Sequence, residues 1–340
     1  MRVLKWVLIA VLALIVGVVG VGFVLPDKAH VERSIVVNAK PATVYTVLNG
    51  FKQFNKWSPW ASLDPRTTYT VEGPLVGAGA KQGWRSEDPA VGAGSQEILE
   101  AVPFERIVVK LVFEGFDSDN LATYTLAPQG EGTQLVWAYD STFKGDLIGR
   151  YFGLMLDDML GPDYEHGLSS LKALVEGLPT DELSKVKAEV LRVDSKPIVY
   201  ISGAAAADEA GALLGAAYAK LGAHLAAHGL KDAAAPIAIT REFNEETHNW
   251  RFDAALVVDK ADPPGAPEAG IQTGQTYAGD ILRVTHIGPY AAMEPTYAAL
   301  TTFRTVAGFE DNGDSWEQYV SDPGSTPEAE LITQINWPIK

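Results

Sequence analysis

Glu317 and Tyr319 stand two positions apart in the stretch Asp314-Ser315-Trp316-Glu317-Gln318-Tyr319-Val320-Ser321-Asp322-Pro323. Trp, Tyr and Val suit a pleated strand and Pro ends its pairing. Alternation then predicts Glu317 and Tyr319 on one face, with Trp316 and Gln318 on the other. A carboxylate beside an aromatic ring can do two kinds of chemistry. It can be the counter-ion for a cationic or polar-aromatic ligand, or a general base acting on water. Burial without a partner would raise its pKa, which suits either role; on an open edge strand it would be a solvated acid. Tyr290 and Trp250 are candidate walls of such a pocket, and each fits a packed core equally well.

Other residues offer less. His224 and His228 have the i, i+4 spacing of a helical metal pair, but no third ligand accompanies them. His286 precedes a Gly-Pro turn and reads as a loop histidine. His166, on a long helical stretch, reads as a surface or capping residue. The chain has no cysteine, which removes disulfides, thiolate metal sites and thiol nucleophiles. No metal and no cofactor is expected.

The elements that would hold Glu317 form a repeated pattern. Val186 to Ile201 carries a strand, and Asp208-Glu209 opens a helix with Leu213, Leu214, Ala217, Tyr218, Leu221 and Leu225 at three-and-four spacing. Gly229 stops it. Strands Pro236–Thr240 and Trp250–Val258 follow, then a loop at Asp262-Pro263-Pro264-Gly265-Ala266-Pro267. After the loop, Gly279–Gly288 reads as a strand matching Val199–Gly203. A helix bearing Met293, Tyr297, Leu300 and Phe303 is stopped by Gly308, and the Glu317 strand comes next. This implies an internal duplication with a groove at its pseudo-two-fold. Only the second copy carries the acid. Trp337-Pro338-Ile339-Lys340 is expected to dock the chain end as a terminal strand.

The chain of 340 residues is 47% hydrophobic and 21% charged, with a formal net charge of −16. That size implies two folded domains, and that charge disfavours nucleic-acid binding, which needs a basic face. Residues Trp6 to Leu25 carry no charge and are long enough for a bilayer's hydrocarbon core. Trp6 would sit at the headgroups with Arg2 and Lys5 outside them. The run is longer than a signal core and no Ala-x-Ala site follows, so an uncleaved single-pass anchor is expected. Its soluble part would lie on the periplasmic or extracellular side of the plasma membrane.

Between anchor and repeat, His30–Asn38 alternates like a strand, Ala39-Lys40-Pro41 opens a helix, and Phe51–Trp60 is a short helix with an aromatic turn. A run of strands follows, and Asp146 to Glu176 is helical, bent at Gly161-Pro162. The result is an α+β arrangement in which an antiparallel sheet curls around a long helix. Boundaries are expected at 1–28 for the anchor, 29–178 for this module and 179–340 for the duplicated one.

The order strand, two helices, six strands and long helix resembles the START-like SRPBCC superfamily, often labelled polyketide cyclase/dehydrase. Its carriers here are His30-Val31-Glu32-Arg33-Ser34-Ile35, Phe54-Asn55-Lys56-Trp57-Ser58-Pro59-Trp60 and Gly167-Leu168-Ser169-Ser170-Leu171-Lys172. The resemblance implies a hydrophobic ligand cavity and no fixed catalytic residues. Trp84 and Trp137 are the candidates to face that cavity; Trp57 and Trp60 read as core and turn packing.

The second half is similar to the gyrase-inhibitor-like effector-binding family. The resemblance rests on His286-Ile287-Gly288-Pro289-Tyr290, Trp316-Glu317-Gln318-Tyr319-Val320-Ser321-Asp322-Pro323 and Leu331-Ile332-Thr333-Gln334-Ile335-Asn336-Trp337-Pro338-Ile339. It implies that Glu317, with Tyr319 beside it, faces an aromatic-walled pocket. Some relatives of that family are transcription regulators, but DNA-binding helices are lacking here. Others hydrolyse strained electrophiles with this glutamate. The expected function is therefore membrane-tethered, non-enzymatic binding of small hydrophobic or cationic molecules by two pocket-forming domains. The alternative is a hydrolase with Glu317 as general base.

Overall fold

The computed structural model describes residues 2–116, 118–179, 183, 187–206, 209–260 and 270–340. The chain divides into two compact units, Met1–Thr180 and Asp181–Lys340. The expected linker residues Thr180 and Asp181, the helix start at Asp208 and the Asp262–Pro267 loop lie outside the described residues.

The first unit opens with helix α1 (Arg2–Val24). Over Val3–Val24 it is apolar enough and long enough to cross a membrane, and only 6% of it is buried. Strand β1 (Lys28–Val37), helices α2 (Pro41–Leu48) and α3 (Phe54–Trp57), strands β2 (Thr68–Glu72), β3 (Lys81–Arg85), β4 (Ala93–Val102), β5 (Arg106–Phe113), β6 (Asp119–Gln129) and β7 (Gly132–Thr142) follow. Helices α4 (Leu147–Gly153) and α5 (Leu156–Glu176) complete the unit. The strands form one antiparallel sheet, ordered β1-β7-β6-β5-β4-β3-β2, with α5 packed across β1.

The helical stretch breaks earlier than the sequence suggests, at Leu154 and Met155 rather than at Gly161-Pro162. The amides of Leu154 and Met155 turn back to the carbonyls of Tyr151 and Phe152, closing α4 with tight turns. Gly161 has a different role. A Cβ there would collide with the Arg33 guanidinium, so its missing side chain is the slot through which Arg33 crosses α5. Arg33 then pairs with Asp157 at 2.9 Å and Glu165 at 3.0 Å, fastening β1 to the helix.

The second unit holds β8 (Ala188–Val193), β9 (Pro197–Ala206), α6 (Ala210–His228), β10 (Ile237–Asn244), β11 (Asn249–Val257), β12 (Gln272–Gln275), β13 (Gly279–Ile287), α7 (Glu294–Ala307), β14 (Trp316–Tyr319) and β15 (Ile332–Pro338). One sheet takes the order β12-β9-β11-β10-β14-β15-β13-β8. It is symmetric about the β10–β14 pair: β9-α6-β10-β11 on one side answers β13-α7-β14-β15 on the other. Both helices end on a left-handed glycine, Gly229 at φ 61° and Gly308 at φ 78°, a conformation that a Cβ disfavours.

One detail departs from the sequence reading. The single strand expected over Val186–Ile201 is two, β8 and β9. The polar Asp194-Ser195-Lys196 separates them, and they end at opposite sides of the sheet. The chain end docks as a terminal strand, as expected, and β15 lies inside the sheet between β14 and β13.

Candidate functional site

Strand β14 is central in its sheet, paired with β10 on one side and β15 on the other, so Glu317 is not an edge-strand acid. The register sets Glu317 opposite Ala238 on β10 and opposite Ile335 on β15. Glu317 is 6% exposed. Its carboxylate accepts a hydrogen bond from the Tyr297 hydroxyl at Oε1 and another from the Tyr319 hydroxyl at Oε2, each 2.6 Å long. Burial raises the Glu317 pKa. The two phenols, and the nearby His286, pull the other way but do not cancel it. The same burial holds Tyr297 and Tyr319 well above the usual phenol range, so both remain donors across ordinary pH.

The surroundings are aromatic and lie on the side of the sheet that carries the helices. Tyr319 meets Tyr290 edge to face at 5.5 Å and Tyr218 at 6.3 Å between ring centroids. Trp250 and Tyr319 pack against one cluster built from Phe252, Ala238, Ala254 and Leu214, and the Trp250 indole N–H donates to Thr240 Oγ1 at 3.1 Å. Tyr290 sits on a single 3-10 turn, Tyr290–Ala292, and is 38% exposed, the most open ring of the group.

Three participants were not singled out by sequence. Tyr297 stood among the apolar positions of its helix, yet its hydroxyl is a Glu317 donor. A signal existed: Tyr297 and Tyr218 each stand eleven positions before their cap glycine. The first copy's tyrosine donates to the Ile237 carbonyl at 2.9 Å, where the second copy's finds a carboxylate. His286 is not a loop residue. It lies on β13, is 7% exposed, and contacts Thr296 Oγ1 at 2.9 Å and the Pro289 carbonyl at 3.1 Å. Thr333 is fully buried on β15, registered against both Tyr319 and His286, and its hydroxyl has no hydrogen-bond partner among the described residues.

The remaining candidates lie elsewhere. Trp137 is 2% exposed and stacks on Tyr164 with centroids 3.8 Å apart. Trp57, Trp60 and Tyr124 surround it, so at this point rings fill the space between sheet and helices. Trp84 belongs to a different neighbourhood: it packs on Phe113 and donates to the Val91 carbonyl at 3.3 Å. A groove of about 190 Å³ lies by Phe51, Tyr69, Leu75 and Gln82, and neither tryptophan lines it. A second groove, about 240 Å³, is bounded by Trp316, Tyr277 and Arg241; Glu317 does not line it. The His224 and His228 rings lie 4.1 Å apart with their planes tilted by 36°, and His228 Nδ1 contacts the His224 carbonyl at 2.9 Å. Among the described residues no group of three metal-ligating side chains occurs.

Residues 28–176 match the family described as polyketide cyclase/dehydrase and lipid transport, and residues 187–340 match the GyrI-like small molecule binding domain. The chain joins a polyketide cyclase-like domain to a GyrI-like domain. Among solved structures, protein CV1439 from Chromobacterium violaceum is similar at 24% identity, over 45% of this chain and 99% of its own, with a TM-score of 0.33. The C-terminal domain of EcmrR is 17% identical over 46% of this chain and 98% of its own, with a TM-score of 0.39. The di-domain ARO/CYC StfQ of the steffimycin biosynthetic pathway is 16% identical over 44% of this chain and 51% of its own, at 0.35. No curated protein matches the chain. Glu317, its two phenols and the Tyr290 turn all fall inside the GyrI-like domain.

Proposed function

We propose that the GyrI-like domain binds small lipophilic cations, with Glu317 as the counter-ion and Tyr290, Tyr319 and Trp250 as aromatic walls, on a chain held to a membrane by α1. The observation that carries this reading is the buried carboxylate with a phenol on each oxygen. A carboxylate removed from water is costly unless it is paired. Two phenol donors offset part of that cost, but burial outweighs them and holds the Glu317 carboxyl above its usual range. A cation would supply the rest, and aromatic faces add their own attraction for it. Tyr290 is the natural entrance, because its short turn leaves it the least buried of the rings. The apolar helix α1, uncovered over nearly all its length, supports single-pass anchoring; a short basic tail at Arg2 and Lys5 held on the inner side would put the folded domains on the periplasmic or extracellular side.

The test is a thermal-shift titration of the full chain in nanodiscs with tetraphenylphosphonium. Binding to the native state at a hundred times Kd adds about 2.7 kcal/mol of stability. The shift is expected in the wild type and absent in Glu317→Gln. An equal shift in both proteins would take Glu317 out of the site. Turnover of an epoxide panel, lost in Glu317→Gln with a single ionisation in its pH profile, would make Glu317 a base instead.

A further inference from the structure

The turn from α4 into α5 leaves Ile148, Phe152, Leu154, Met155 and Met159 each between 51% and 70% exposed. A contiguous apolar surface of this kind usually marks an interaction site. Its place is set by α1. The Tyr151 hydroxyl donates to the Val18 carbonyl at 2.5 Å, and the Arg150 guanidinium donates to the carbonyls of Phe23 at 3.3 Å and Leu25 at 3.1 Å. The last carbonyls of a helix lack partners within it and carry the negative end of its dipole, so a guanidinium is well suited to close them. Gly22 permits the close approach: a Cβ there would stand 3.3 Å from the Tyr151 ring. At 1.5 Å of rise per residue, Val18 lies about 9 Å below the end of α1. Helix α4 is therefore fixed beside the final turns of the apolar span.

We propose that α4 and the turn after it lie in the bilayer at the boundary between headgroups and acyl chains, with Ile148, Phe152, Leu154 and Met155 turned to the lipid. The first domain is thus seated on the membrane rather than suspended above it. The proposal rests on the reading that α1 spans. Lipid is the occupant because the ledge continues the bare apolar surface of α1, where Phe23 is 68% exposed. Ile148 and Phe152, one helical turn apart, extend that surface along α4. The depth is limited by exposed Asp158 and by Asp157, which is paired with Arg33; both belong at the headgroups, where α5 leaves the membrane.

The chain has no cysteine, so single probes can be placed without other changes. The full chain carrying Ile148→Cys, Phe152→Cys or Met155→Cys is labelled with an environment-sensitive nitrobenzoxadiazole. Leu12→Cys reports the span itself and Lys110→Cys an exposed strand position. Each is reconstituted in phosphatidylethanolamine/phosphatidylglycerol vesicles with and without doxyl-labelled lipid. Blue-shifted emission and at least twofold quenching at 148, 152 and 155, as at 12 and unlike 110, is the expected result. Water-like emission at the three ledge positions with quenching at 12 overturns the proposal and leaves the span standing. Water-like emission at position 12 as well overturns both. A blue shift without doxyl quenching would put protein on the ledge instead of lipid, and also overturns the proposal.

Discussion

Glu317 and Ala238 face each other across the central antiparallel pair of the second sheet, at positions that the internal two-fold makes equivalent. One is an acid and the other a methyl group. The fully buried Ala238 sets a methyl group against the carboxylate, and the asymmetry of charge at the two-fold follows from that inequality.

Filling the small side of the pair tests it. Ala238→Leu should destabilise the protein by about 1–3 kcal/mol through overpacking and abolish the tetraphenylphosphonium shift. Ile239→Leu, one position along and on the opposite face, should cost less than about 1.5 kcal/mol and keep the shift. Thermal melts of both variants with and without the cation make the comparison. If Ala238→Leu responds like wild type, the ligand does not sit at the two-fold.

The raised pKa of Glu317 has a definite sign in stability. An unfolded glutamate titrates near 4.5, and in the native state the group titrates higher because it is buried. Between those two values the native state holds more protons than the unfolded state, so stability falls as pH rises. The favourable condition is complete below the unfolded value and is lost as pH climbs through the folded one. Glu317→Gln cannot titrate. Its stability relative to wild type should therefore increase as pH rises above 4.5 and then level off, in urea unfolding of the full chain in detergent. A difference that stays constant across this range would contradict a buried, titrating acid.

The two phenols should behave as partners of a charge. Tyr297→Phe and Tyr319→Phe are each expected to cost about 1.5–3 kcal/mol, the range for hydrogen bonds to ionised groups, and to push the Glu317 titration higher. Each should lose most of its effect in the Glu317→Gln background, which a double-mutant cycle measures. Tyr218→Phe removes only a bond to a backbone carbonyl. It should cost about 1 kcal/mol with little coupling to Glu317.

In the first unit, the stacked Trp137–Tyr164 pair predicts a large truncation cost. Trp137→Ala should lose about 3–5 kcal/mol and much of the near-ultraviolet dichroism. Trp137→Phe, which keeps a ring against Tyr164, should lose clearly less. A small loss for the alanine variant would mean that the rings around Trp57 and Tyr124 leave slack there.

Much of this arrangement could be read from residue order. Alternation along Trp316–Tyr319 was enough to align Glu317 with Tyr319, and the repeated helix-glycine pattern exposed the duplication. Partners from other elements were harder to see. Nothing in the helix pattern of Met293, Tyr297 and Leu300 says that one hydroxyl reaches a strand twenty residues on. His286 looked like a turn residue because Gly288-Pro289 follows it, but β13 runs to Ile287 and carries the ring inside. Gly161-Pro162 looked like a hinge because local propensity cannot show that Arg33 needs the gap. In each case the deciding contact joins residues far apart in the chain, which neither period nor propensity encodes.

The outermost strands of the second sheet trade places. Strand β8 precedes the first repeat but borders β13 of the second, and β12 precedes the second repeat but borders β9 of the first. Each half therefore depends on its sibling for an outer wall, and neither can be removed without stripping the other. A polypeptide bearing one repeat could complete the same architecture by pairing with a copy of itself, each lending its leading segment. A symmetric pair of that kind would carry either two acids or none at its axis, so a lone carboxylate there requires two unlike copies in one chain.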